Sequence, residues 1–132
     1  MNISMRLTER EAQMNEFQQL MHEITQFVKD RNWDQFHNPK DLAISLSLEA
    51  SELLECFQWK SSDDAVTKNR SEIIKEIADI MVYCMMLSNK LDFDLLEAVR
   101  IKMAENGKKY PVELAYGKSD KYTELGKEVS DK

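Results

Sequence analysis

Between Ile77 and Asn89 the chain carries a single charged residue, Asp79, set among isoleucine, methionine, valine, tyrosine, cysteine and leucine. An ionised carboxylate taken out of water without a partner is very costly, so such an acid must be paired, protonated or metal-bound. Glu76 lies three positions earlier, on the helical face that continues through Tyr83. A second segment repeats the conflict. Leu42, Leu46, Glu49, Leu53 and Cys56 advance by four, three, four and three positions, which sets Glu49 inside an apolar helical stripe. Glu52 follows one turn on, at the edge of the same face.

Buried ion pairs are the bland way to satisfy these acids, yet the bases nearby (Lys40, Lys60, Lys68, Arg70, Lys75, Lys90) lie toward the ends of the two segments. Acids gathered without internal bases repel one another unless divalent cations neutralise them. Carboxylate-only ligation suits Mg²⁺, with Mn²⁺ as a substitute, rather than zinc. Either ExxE or ExxD alone is common on solvated helices; the two together on apolar faces are the informative signal. Glu55, Glu72 and Glu97 read as ordinary exposed helix charges, although Glu55 also continues the Glu52 face toward a metal or its water.

The surrounding sequence is helical throughout. Glycine (3) and proline (2) are scarce among 132 residues, which favours an all-α domain. Thr8-Glu9-Arg10-Glu11 reads as a capping box opening a helix over about 9–30, along which Met14, Phe17, Met21, Ile24 and Val28 recur at helical spacing. An aromatic loop holds Trp33, Phe36 and His37. Asn38-Pro39 starts a second helix running to about Trp59. A third covers roughly 65–89. Asp92 or Asp94 caps a fourth that ends near Asn106, with Gly107 as its stop. After Pro111 the chain is polar and aperiodic, so residues 1–115 are expected to form the domain and 116–132 a polar tail. Short links between four helices predict a four-helix bundle. The second and third helices are apolar around much of their circumference, which predicts a homo-oligomer.

A net charge of −6 argues against nucleic acid as a partner. No apolar run reaches the length of a membrane span. The first residues lack the apolar core of a secretion signal, and Cys56 and Cys84 read as reduced core thiols, so a cytoplasmic location is expected.

The ordered set Glu49-x-x-Glu52 and Glu76-x-x-Asp79 resembles the signature of the MazG-like, all-α nucleoside triphosphate pyrophosphohydrolases, particularly the dCTP pyrophosphatase branch. The resemblance extends through residues 31–42 (RNWDQFHNPKDL), Phe57-Gln58-Trp59-Lys60, Lys102-Met103-x-x-Asn106 and Lys109-Tyr110-Pro111. It implies a helical bundle with active sites at subunit contacts, in dimers or tetramers, and Mg²⁺ held by Glu49, Glu52, Glu76 and Asp79. It also implies that Trp33, Trp59 and Tyr83, with His37 beside them, enclose base and sugar, and that Lys102, Asn106, Lys109 and Tyr110 approach the phosphates. One departure is Ile24, where relatives of that branch can carry a pocket histidine; His22 faces another side of its helix and does not replace it.

The implied reaction is NTP + H₂O to NMP + pyrophosphate, serving house-cleaning of dCTP or a related or modified deoxynucleotide. Glu52 is the candidate acceptor of the water's proton, with Glu55 in reserve. The bland counterparts are that Trp33 and Trp59 close bundle ends, Tyr83 hydrogen-bonds Asp79, and His37 braces a turn. Two other functions fit the same residues: a dUTP or broad-range NTP pyrophosphatase, and a non-catalytic nucleotide-binding helical interaction module.

Overall fold

Each long helix begins at a side chain that accepts a hydrogen bond from the amide three residues on, which satisfies one of the donors a helix start leaves free. The caps are Asn15, Asn38, Ser61 and Asp94. The computed structural model describes residues 14–126. Its elements are α1 (Glu16–Asp30), a 3-10 turn (Asp34–Phe36), α2 (Pro39–Glu55), α3 (Ser62–Lys90), α4 (Leu95–Lys109) and α5 (Val112–Ala115). All regular structure among the described residues is helical, as expected.

Several boundaries differ from the sequence reading, each for a local reason. Thr8–Glu11 lies outside the described residues. The helix after it starts only at Glu16, because Asn15 is extended and forms its own capping box with Gln18. α2 stops at Glu55, four residues before Trp59, in a run of tight turns. α3 starts earlier than expected because Ser61, not a later residue, caps it. Gly107 does not end α4. The helix continues to Lys109, and Pro111, which cannot continue the ladder, follows the stop.

Among the described residues, those up to Asp92 form one compact unit and those from Phe93 onward another. In the first, α2 and α3 are the principal packed pair and α1 lies against α3. Val28, Leu42, Ala65, Ile73 and Met85 form a small buried core, joined by Ser88, whose hydroxyl donates to the Met85 carbonyl at 2.7 Å. An ion pair of 2.8 Å from Lys90 to Asp34 ties the end of α3 to the 3-10 turn. The Lys90 ammonium beside it holds the Asp34 carboxyl below its ordinary range.

That core leaves much apolar surface uncovered. Ile44, Leu48 and Leu54 on α2, and Ile74, Ile77 and Met81 on α3, are between 42% and 69% exposed, more than scattered surface residues account for. In the second unit, the segment after α5 folds back on its own helices. The Tyr122 ring meets Tyr110 edge-on at 6.1 Å, and the Lys109 ammonium lies 5.1 Å from the Tyr122 centroid. Among the described residues no helix is long and apolar enough to cross a membrane.

Leu42 is 1% exposed where α2 meets the rest of the first unit. Replacing it with alanine removes buried methyl groups and leaves a void, so Leu42→Ala is expected to destabilise the fold by about 3 kcal/mol in denaturant unfolding. A loss near zero would mean this core is not the one that holds the unit together.

Candidate metal centre

Glu49 projects from the middle of α2, and Glu76 and Asp79 from adjacent turns of α3. One carboxylate oxygen from each lies within 4.8 Å of the others. Glu49 and Glu76 are half-buried and Asp79 is exposed. Glu52 is exposed and outside this tight group, yet its charge and hydrogen-bonding reach extend to both Glu49 and Glu76. Glu55, one turn further, is exposed and also outside the group. None of the ion pairs among the described residues reaches any of the four acids.

The electrostatic consequence is direct. Burial pushes the Glu49 carboxyl from 4.5 up to about 7, helped by a hydrogen bond to Glu76 and by the charges of Glu52 and Asp79. Glu76 is raised as well, chiefly by burial, although the hydrogen bond from Glu49 acts the other way. The two carboxyls lie within hydrogen-bonding reach of each other, and each disfavours ionisation of the cluster. Oε2 of each is buried without a hydrogen-bond partner. Two orphaned buried oxygens, hard donors only, and no base within the cluster fit a divalent cation as the missing partner.

Other residues singled out from the sequence divide by location. Trp33 packs edge-on against Phe27 at 5.8 Å, and the Arg31 guanidinium lies 3.6 Å from the Phe27 centroid and 5.9 Å from that of Trp33. His37 is half-buried and lines a cavity of about 370 Å³ together with Met21, Ile24, Leu42, Met86 and Asn89. Tyr83 is half-buried and makes no hydrogen bond to Asp79 among the described residues. Trp59 is 93% exposed and has φ +60°. A bulky residue in that left-handed region costs about 1 kcal/mol or more, and here no burial of the ring offsets it.

Lys102, Asn106, Lys109 and Tyr110 lie along α4 and its C-terminal end in the second unit. Lys102 pairs with Glu105 at 2.9 Å, and the Tyr110 amide donates to the Asn106 carbonyl at 2.8 Å. The cavity itself was not foreseen. Asp34 and Lys90 stand at its wall, but the sequence offered Asp34 only inside a longer motif and Lys90 only as a helix-end base.

The family model of the MazG-like family matches residues 44–125, which spans both acid pairs. The chain belongs to the MazG-like family. Among relatives, dCTP pyrophosphatase 1 of mouse is 38% identical over 105 residues, and that of human 37% identical over the same length. These alignments cover 76% of this chain and 62% of each relative, so the chain spans less than two thirds of their length. A pyrophosphatase of Archaeoglobus fulgidus, solved by crystallography, superposes with a TM-score of 0.71 at 37% identity, over 74% of this chain and 94% of that one. This MazG-like chain therefore has a relative of solved structure over most of its length.

The raised acids set the sign of a pH effect. Glu49 binds its proton more tightly in the folded chain than in the unfolded one, so the stability this contributes is complete at low pH and is lost as pH rises toward about 7. Without divalent metal, melting temperature is expected to fall between about pH 5 and pH 8, with Glu49→Gln flattening the fall. A metal-free wild-type curve that is already flat over that window would mean the carboxyls do not meet in solution.

Proposed function

We propose that this chain is a Mg²⁺-dependent nucleoside triphosphate pyrophosphohydrolase, releasing pyrophosphate and a nucleoside monophosphate from dCTP or a related or modified deoxynucleotide. The observation that carries the reading is the Glu49–Glu76–Asp79 cluster with its two orphaned oxygens. Family membership and relatives named dCTP pyrophosphatase 1 support the choice of reaction and substrate. In this reading residues 1–115 are the catalytic domain, 116–132 its polar tail, and the location is cytoplasmic.

Glu49, Glu52, Glu76 and Asp79 would hold the metal. Mg²⁺ bound there supplies neutralisation of the triphosphate and a lowered pKa for the attacking water. Glu52, exposed and aimed at the same cluster, accepts the water's proton, with Glu55 the reserve. Attack at the α-phosphorus breaks its bond to the bridging oxygen, and pyrophosphate leaves with that electron pair. Supplied from a neighbouring subunit, as the family resemblance implies, Lys102 and Lys109 would balance its charge, with Asn106 and Tyr110 as neutral contacts.

The cavity supports a place for the base. Leu42 precedes Glu49 by seven residues and Met86 follows Asp79 by seven, which is about 10 Å along each helix. A base in this cavity and phosphates at the acids thus fit one extended nucleotide, with Tyr83 between them and His37 at the wall. Trp33 and the strained, exposed Trp59 supply stacking surfaces. Ile24 lines the cavity and offers no hydrogen bond to a base, which favours dUTP or a broad range of NTPs as the second reading. The bare apolar faces of α2 and α3 support a homo-oligomer, dimer or tetramer, whose burial of Leu48 and Ile77 would complete the core.

Pyrophosphate release from a panel of nucleotides with Mg²⁺ tests the reaction. A dominant dCTP rate is expected, several comparable rates would move the assignment to a broad-range enzyme, and none would leave a non-catalytic binding module. Glu49→Gln and Asp79→Asn are each expected to abolish turnover while leaving far-UV circular dichroism intact; near-normal rates at saturating Mg²⁺ would remove that residue from the site. Trp59→Ala is expected to raise KM by about tenfold, in line with loss of a stacked base. An unchanged KM would make Trp59 structural.

A further inference from the structure

α3 does not run uninterrupted. At Asn69 the backbone leaves the helical region (φ −115°, ψ 18°), so that two helical pieces meet at a kink. The cause is on the same residue. Asn69 Nδ2 donates a 2.8 Å hydrogen bond to the carbonyl of Cys56, thirteen positions earlier and part-buried. Cys56 is the C-cap of α2, and a helix end leaves its last carbonyls without intrahelical partners. Asparagine competes for backbone groups in this way, and kinks form where a side chain takes part in such bonding.

The place of this bond matters more than its strength. From Cys56, Glu49 lies seven residues back along α2; from Asn69, Glu76 lies seven residues on along α3. Each step is two helical turns, about 10 Å. Cys56 meets Asn69, Glu49 meets Glu76, and Leu42 and Met86 share the cavity, so the two helices run antiparallel with this bond at one end of their shared face. A slip of one residue would turn Glu76 and Asp79 by about 100° around the α3 axis, away from Glu49. The apolar contacts between α2 and α3 are non-directional and do not by themselves forbid such a slip. A hydrogen bond to one particular carbonyl does.

We propose that Asn69 is a positioning residue: by fastening the kink of α3 to the last turn of α2, it sets the register that brings the two carboxylate pairs together, and so sets the affinity for the divalent cation. This rests on reading the cluster as a cation site, as proposed above.

The test uses the full chain and Mn²⁺ as the probe, titrated by calorimetry without nucleotide. Asn69→Ala removes the donor and favours a straight helix; Asn69→Asp keeps the size and removes the amide donor, which guards against a variant that does not fold. Both are expected to bind Mn²⁺ about tenfold more weakly, with helicity by circular dichroism retained. In turnover, half-saturating Mg²⁺ should rise by a similar factor while nucleotide KM at high Mg²⁺ stays near wild type. A role confined to stability would lower the melting temperature and leave Mn²⁺ affinity unchanged, and that result overturns the proposal. Wild-type protein that takes up no Mn²⁺ overturns the cation reading and this inference with it; wild-type uptake matched by both variants overturns the inference alone.

Discussion

Mutual repulsion among carboxylates is the constraint around which the first unit is organised. Glu49 and Glu76 sit half-buried with one oxygen each lacking a donor, Asp79 joins them, and among the described residues no base forms an ion pair with them. Nothing local favours such an arrangement. It persists because α2 and α3 bury apolar side chains against each other and carry the acids on that packed pair. The cluster is therefore a store of unfavourable energy, of the kind found where a protein prepares a site for a positively charged partner.

Two restraints at opposite ends of the α2–α3 pair keep that arrangement in place. At one end Asn69 holds the Cys56 carbonyl. At the other, Lys90 reaches across to Asp34 and fastens the aromatic loop over the cavity. At the start of that loop Arg31 lies over the Phe27 ring of α1, and Phe27 receives Trp33 edge-on. The acids and the cavity thus follow one another along a single helix pair.

The bare apolar faces fit the same picture. A chain with six buried residues among those described has too little core to explain the isoleucines, leucines and methionines spread over α2 and α3. Composition alone pointed in this direction, because stripes too wide for one partner helix are visible in sequence. What covers these faces cannot be read from periodicity.

What the sequence determined by itself was the class of structure and the anomaly within it. Helical spacing and cap residues such as Asn38 and Ser61 are local, and the cost of an acid among apolar neighbours depends on little beyond the neighbours. Hence the two acid pairs were legible before any coordinates. Tertiary structure alone decided the rest, since it depends on which residues meet across distance. It divided the four acids into a half-buried pair, an exposed ligand-distance neighbour and an outlying Glu52. It ended α2 short of Trp59 and turned that ring outward. It also bent α3 at Asn69, because the acceptor for that side chain is a carbonyl thirteen positions away, and no window of local sequence reveals that the two will touch.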